Sequence, residues 1–224
     1  MLRWRESLLA IALVSLGIGT LAGAIVAWLW ASPWAAASAT TLLWAGMLVP
    51  VVFALSRSRP AGLLRFRALD LLYGVALGGM LRLAQGWMEV ASDGRAVFPA
   101  YPLVDGRLSD WWWLTDGAAV VVAAPVVEEF FFRGVILVAL YTVLRPAFGH
   151  VVAGAVGVVV SAGLFVLGHV LIAGSGWDDL IVTALLGVVC GILVILTGRI
   201  WGAVLVHVVY NATSVALALV GTMW

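Results

Sequence analysis

Long apolar runs joined by short polar links make up almost the whole chain. The first run covers residues 7–30 and follows Arg3 and Arg5; the second covers roughly 35–56. Next comes a basic loop with Arg57, Arg59, Arg65 and Arg67, where Pro60 and Gly62 break the helix. A third run, about 69–88, is interrupted by Arg82 and gives way to a polar stretch. That stretch sets Glu89, Asp93, Asp105 and Asp110 against Arg95 and Arg107. Residues 112–144 are too long for one straight crossing at about 1.5 Å per residue, and Pro125 predicts a kink or break there. Runs at about 151–173, 180–197 and 200–221 follow, with links at Gly174–Gly176 and Thr197-Gly198-Arg199. Runs of 18 or more apolar residues read as membrane-spanning helices, and no stretch alternates with the period of a barrel strand. The pattern predicts an all-α, polytopic transmembrane helical bundle of about seven spans, the fourth helix broken or kinked. It forms a single integral membrane domain, with N-terminal spans and a polar loop over 1–110 and a helical core over 111–224.

Composition agrees. Of 224 residues, 64% are hydrophobic and only 10% are charged, where soluble domains carry about a quarter charged. The net charge of +1 says little, and no nucleic-acid partner is expected. All twelve basic residues are Arg, a composition bias. Cys190 stands alone, which excludes an intramolecular disulfide and a cysteine metal cluster. The arginines near the N-terminus, in the 57–67 loop, at Arg145 and at Arg199 alternate consistently with seven spans and a cytoplasmic N-terminus. The C-terminus then faces outward. The first run is about twice the length of a signal-peptide core, so it reads as a retained anchor despite the small residues Ala35–Ala39. No internal repeat is visible, and no inverted symmetry of the transporter kind.

Within these runs lie Glu128, Glu129 and Arg133, then His169, then His207 and Asn211. A charge at the centre of a bilayer costs roughly 2.5–3.5 kcal/mol on insertion scales, so such residues mark chemistry or transport. On a helix Glu129 and Arg133 share a face, where Arg can hold a carboxylate bidentately. Glu128 points about 100° away, without a local partner, and is suited to exchange a proton. Phe165 and His169 share a face, as do His207 and Asn211. An imidazole beside an amide can bind a metal, polarise a carbonyl or stabilise an oxyanion; helix–helix hydrogen bonding is the structural alternative. Ser161 and Ser214 read as packing hydroxyls, His150 as incidental, Asp178-Asp179 as a helix cap, and Trp111-Trp112-Trp113 as an interfacial belt. Gly163, Gly168, Gly187 and Gly191 are expected to let helices approach closely.

At these residues the sequence resembles the CAAX prenyl protease and bacteriocin-processing group, the CPBP intramembrane metalloproteases or ABI family. That pattern reads Glu-Glu-x-x-x-Arg, then Phe-x-x-x-His, then His-x-x-x-Asn, on successive spans. Here it is Glu128-Glu129 to Arg133, Phe165 to His169, and His207 to Asn211, within a resemblance over about 117–215. The resemblance implies a membrane-embedded endopeptidase acting on a peptide or membrane-protein substrate within the lipid bilayer, in a bacterial or archaeal cell membrane. Glu128 with His169 would activate water, His207 and Asn211 would stabilise the oxyanion, and Glu129 and Arg133 would support the site. Glu128, His169 and His207 form a plausible set for Zn2+ or another divalent metal, and equally a metal-free acid/base set. The rival reading is a non-enzymatic scaffold, bacteriocin self-immunity factor or transporter with a structural polar cluster. Counting residues from the helix ends puts His207 and Asn211 roughly 8–16 Å shallower than Glu128 and His169. All five groups other than Arg133 are nonetheless expected to share one hydrated pocket.

Overall fold

A computed structural model of the protein describes residues 6–58, 60–93, 98–173 and 177–224. Arg3, Arg5, Arg59, Arg95 and the Gly174–Gly176 link lie outside them. Among the described residues every regular element is helical, and an isolated bridge pairs Val104 with Arg107. Helices α1 (Glu6–Leu29) and α2 (Ala35–Arg57) form a hairpin. The sequence allows their backbones to touch: a Cβ on Gly46 would stand 2.6 Å from the Ser15 carbonyl oxygen. The Ser15 hydroxyl donates to the Gly46 carbonyl at 2.6 Å, fixing that crossing.

Helix α3 (Ala68–Asp93) packs along α7 (Trp201–Met223) through a second glycine seam. A Cβ on Gly74 would meet the Leu205 Cβ at 2.7 Å, and one on Gly78 the Val206 carbonyl oxygen at 2.7 Å. Close backbone approach of this sort replaces the hydrophobic drive that lipid removes. Of the glycines expected to do this in the core, Gly187 and Gly191 do, with Cβ positions 3.1 Å from Ala162 and 3.2 Å from Val158. Gly163 and Gly168 face open space instead.

Between α3 and α6 (Trp177–Thr197) runs a long helical path that is interrupted at Gly149. It begins π-helical over Trp113–Ala123, becomes α-helical in α4 (Ala124–Glu129), turns π-helical again over Phe130–Leu137, and continues as α5 (Val138–Ala173). The expected break at Pro125 is absent. Pro125 occupies the start of α4, Ala124 keeps helical angles of φ −58 and ψ −55, and its N–H bonds Ala119. Pro125 lies inside the path and donates no N–H, and the Val120 carbonyl five residues earlier accepts from Asn211 Nδ2 instead. Non-helical backbone falls at Gly149, with φ 75 and ψ 177, a conformation that glycine adopts without a steric penalty. Helix α6 (Trp177–Thr197) starts ahead of Asp178 and Asp179 and returns to α7 through Gly198, at φ 65.

Among the described residues five helices are long and apolar enough to cross a membrane, and the chain is an integral membrane protein: Glu6–Leu29, Ala35–Arg57, Trp113–Val170, Asp179–Thr197 and Trp201–Met223. That count is five and not seven for two reasons. The 58 residues of Trp113–Val170 count once, although Gly149 lies within them. And α3, which carries Asp70, Arg82 and Glu89, is not among the five. The buried core, with Phe131, Phe132, Ile136, Phe165, Leu186 and Val206, lies among the second π-helical segment, α5, α6 and α7. It encloses Glu129, Arg133, Ser161 and His207, while Glu128, His169 and Asn211 are only partly buried.

Candidate active site

The α4 helix and the π-helical turn after it place Glu129 and Arg133 on one side of the path and Glu128 on another. Glu129 is fully buried, while 13% of the Glu128 side chain remains accessible. Arg133 Nη1 stands 3.0 Å from Glu129 Oε1, and neither side chain is exposed. The approach is a charge contact and not an aligned hydrogen bond, since the Arg133 nitrogens have no acceptor in hydrogen-bond geometry. The guanidinium is held on its flat face instead, with Cζ 4.5 Å from the Phe165 ring centroid. Room for it comes from Gly187, where a Cβ would lie 3.3 Å from Arg133 Nη2.

His207 reaches both glutamates. Its Nδ1 is 3.0 Å from Glu129 Oε1, and its Nε2 is 3.9 Å from Glu128 Oε2. A carboxylate only accepts, so Nδ1 carries a proton toward Glu129 and the ring presents Nε2 toward Glu128. The depth mismatch counted from the sequence therefore does not exist.

His169 takes its orientation from its own helix. Its Nδ1 donates to the Phe165 carbonyl at 2.9 Å, which leaves Nε2 as the basic nitrogen. Its ring centroid lies 4.4 Å from that of Phe165, whose ring meets His207 edge-on at 5.7 Å. Phe165 thus separates the two imidazoles and is packed in turn against Phe132. Ser161 donates to the Phe132 carbonyl at 2.9 Å, tying α5 to the second π-helical segment. Sequence reasoning treated this serine as a packing hydroxyl; its acceptor, a π-segment carbonyl 29 residues away, has no sequence signature.

A cavity of about 260 Å³ opens beside Glu128 and His169. Ala124, Phe132, Phe165 and Gly168 line its catalytic side, and Thr20, Thr40, Leu43, Trp44 and Met47 of the α1–α2 hairpin form the opposite wall. His207 and Asn211 do not line it. Asn211 Nδ2 donates to the Val120 carbonyl in the first π-helical segment at 2.8 Å. The single shared pocket expected from the sequence is therefore divided. Glu128 and His169 face the cavity; Glu129, Arg133 and His207 form a dry cluster behind it; Asn211 braces α7 one turn further along. Ring stacking by Phe165, which the i, i+4 pairing with His169 hinted at, makes the partition.

The expected zinc or other divalent set is Glu128, His169 and His207, whose two histidines each keep Nε2 free while Nδ1 is held by a protein acceptor. Among the described residues no three His, Cys, Asp or Glu side chains are arranged to hold a metal ion. The Phe165 ring packs against both histidines. The arrangement offers a carboxylate at a cavity wall, an imidazole beside it, and a second imidazole whose tautomer a buried carboxylate fixes.

The family model described as type II CAAX prenyl endopeptidase Rce1-like matches residues 110–213. That range contains Glu128, Glu129, Arg133, His169, His207 and Asn211. No curated protein and no solved structure matches the chain.

Proposed function

From the premise that residues 110–213 belong to the CAAX prenyl endopeptidase family, we propose that this protein hydrolyses a peptide bond within the membrane. The observation that carries the reading is the division of labour between adjacent glutamates: Glu129 is sealed against Arg133 and His207, while Glu128 faces the cavity. Glu128 accepts a proton from a water molecule held in that cavity, and the hydroxide so formed attacks the scissile carbonyl. His169 presents Nε2 to the same space and shuttles the proton to the leaving amine. His207, held through Nδ1 by Glu129, stands behind the Glu128 carboxylate, and Asn211 braces α7 against the first π-helical segment. No step passes through a metal ion, and turnover is expected to persist in the presence of a chelator.

The membrane is crossed seven times in this reading. Gly149 divides the long run into two crossings, and α3 makes another. The 57–67 loop and the 198–200 link lie at one end, since Ile200 N–H bonds the Leu63 carbonyl and Trp201 Nε1 the Leu64 carbonyl, each at 2.9 Å. Arginine bias makes that end cytoplasmic in a bacterial or archaeal cell membrane. The substrate is a peptide or membrane protein delivered from the bilayer.

Comparing the C-terminal peptides of the membrane proteome between wild-type cells and a Glu128→Gln strain tests the assignment. Peptidase function predicts full-length C-termini that accumulate only in the variant. Identical peptide sets, together with solute uptake or charge movement in vesicles, would favour a transporter.

A further inference from the structure

Helix α3 lies outside the segment that matches the endopeptidase family, yet it carries a polar cluster aimed at α7. Arg82 and Gln85 are more than nine-tenths buried. Arg82 Nη1 donates to Ser214 Oγ at 3.0 Å, and Nη2 to Glu89 Oε1 at 3.2 Å. Gln85 Nε2 donates to Glu89 Oε1 at 2.9 Å, and Gln85 Oε1 accepts the Tyr210 hydroxyl. The Arg82 guanidinium also sits 5.6 Å from the Tyr210 ring centroid. At the other end of α3, Asp70 grips Arg199 through Nη2 at 2.7 Å and Nε at 3.2 Å. That hydrogen bond raises the Arg199 guanidinium above its ordinary value. Gly74 and Gly78 let the two helices touch between these grips.

We propose that Arg82, Gln85 and Tyr210 are positioning residues for the active site, fixing the rotation of α7 and so the aim of His207. Tyr210 follows His207 by three residues and precedes Asn211 by one. Its hydroxyl is held by α3, while His207 contacts Glu128 and Glu129 on another side of the same helix. Side-chain tips lie about 5–6 Å from a helix axis, so turning α7 by about 10° moves His207 by about 1 Å. A displacement of that size costs about a hundredfold in rate. Packing alone does not call for this cluster. Buried ionic groups can often be replaced by apolar ones without loss of stability, and their best-attested use is to fix register.

The test uses the full chain in nanodiscs, with histidine ring nitrogens labelled for NMR. The chain has three histidines, so His207 is assigned by its loss in His207→Gln. In Tyr210→Phe, which removes one hydroxyl, and in Gln85→Leu, the His207 signals are expected to shift while those of His150 stay put. The double variant is expected to match the larger single effect, because both changes break one contact. Unmoved His207 signals would overturn the proposal. So would equal movement of all three histidines with a falling melting temperature, which marks a general folding role. This readout needs no substrate. The rate consequence rests on the proteolytic reading: with a farnesylated CAAX-ended peptide, kcat is expected to fall about ten- to a hundredfold at unchanged KM. Loss of activity in Glu128→Gln beside normal kcat in Tyr210→Phe would defeat the positioning proposal alone. Full activity in Glu128→Gln would defeat the proteolytic reading.

Discussion

Glu129 holds two partners at once, and removing either should be measurable. Arg133→Leu leaves a buried carboxylate with only His207 beside it, a situation that costs about 3–5 kcal/mol. Chemical denaturation in detergent should show a loss of that order, and the Glu129→Gln/Arg133→Leu pair should recover part of it. A loss below about 1 kcal/mol in the single variant would mean that the pair is solvated, contrary to its burial. The Glu129–Arg133 pairing was legible from their spacing of four residues. The contact between Glu129 and His207 was not, because it joins positions 78 apart. The cluster around Tyr210 escaped for the same reason. Arg82 is conspicuous in an apolar run, but its acceptor Ser214 lies 132 residues away.

At the scale of elements, the two core glycines that differ in surroundings make a paired experiment. Gly187→Ala places a methyl 3.1 Å from Ala162 and 3.3 Å from the Arg133 guanidinium. Overpacking of that kind costs about 1–3 kcal/mol, so its melting temperature should drop. Gly163→Ala meets nothing within 4 Å and gains helix propensity of about 1 kcal/mol, so it should hold or rise. A reversal of that order in thermal melts would show that the α5–α6 packing is misplaced. Helical periodicity and apolar length were enough to find α1, α2, α6 and α7. They could not show that the path after Trp113 changes hydrogen-bond register twice, since i→i+4 and i→i+5 helices share the same residue preferences. Pro125 drew attention to a break that Gly149 supplies instead. The carbonyl that Pro125 leaves without a backbone donor is supplied by Asn211, and glycine accepts a φ of 75 without strain.

Across the whole molecule, the proposed seven crossings with a cytoplasmic N-terminus make a labelling prediction. Cys190 is buried and is the one cysteine of the chain, so membrane-impermeant thiol reagents should leave the parent protein unmarked. A cysteine introduced at Arg65 should react only when the cytoplasmic face is open, and one at Trp224 only from the outside. Labelling of both from one face would require an even number of crossings. The cavity beside Glu128 draws its far wall from α1 and α2, which lie outside the family match. Donor geometry bears on the metal question at this scale too. Cleavage is expected to survive EDTA and 1,10-phenanthroline, and a loss restored by added zinc would contradict the route through Glu128 alone.

The most direct measurement is the cleavage rate of a farnesylated CAAX-ended peptide in proteoliposomes, comparing the parent chain with Glu128→Gln at matched folded fraction. General acid–base catalysis contributes about a hundred- to ten-thousandfold, and replacing the carboxylate by an amide should remove a factor in that range. Cleavage by the variant at the rate of the parent would show that the proton of the attacking water goes elsewhere.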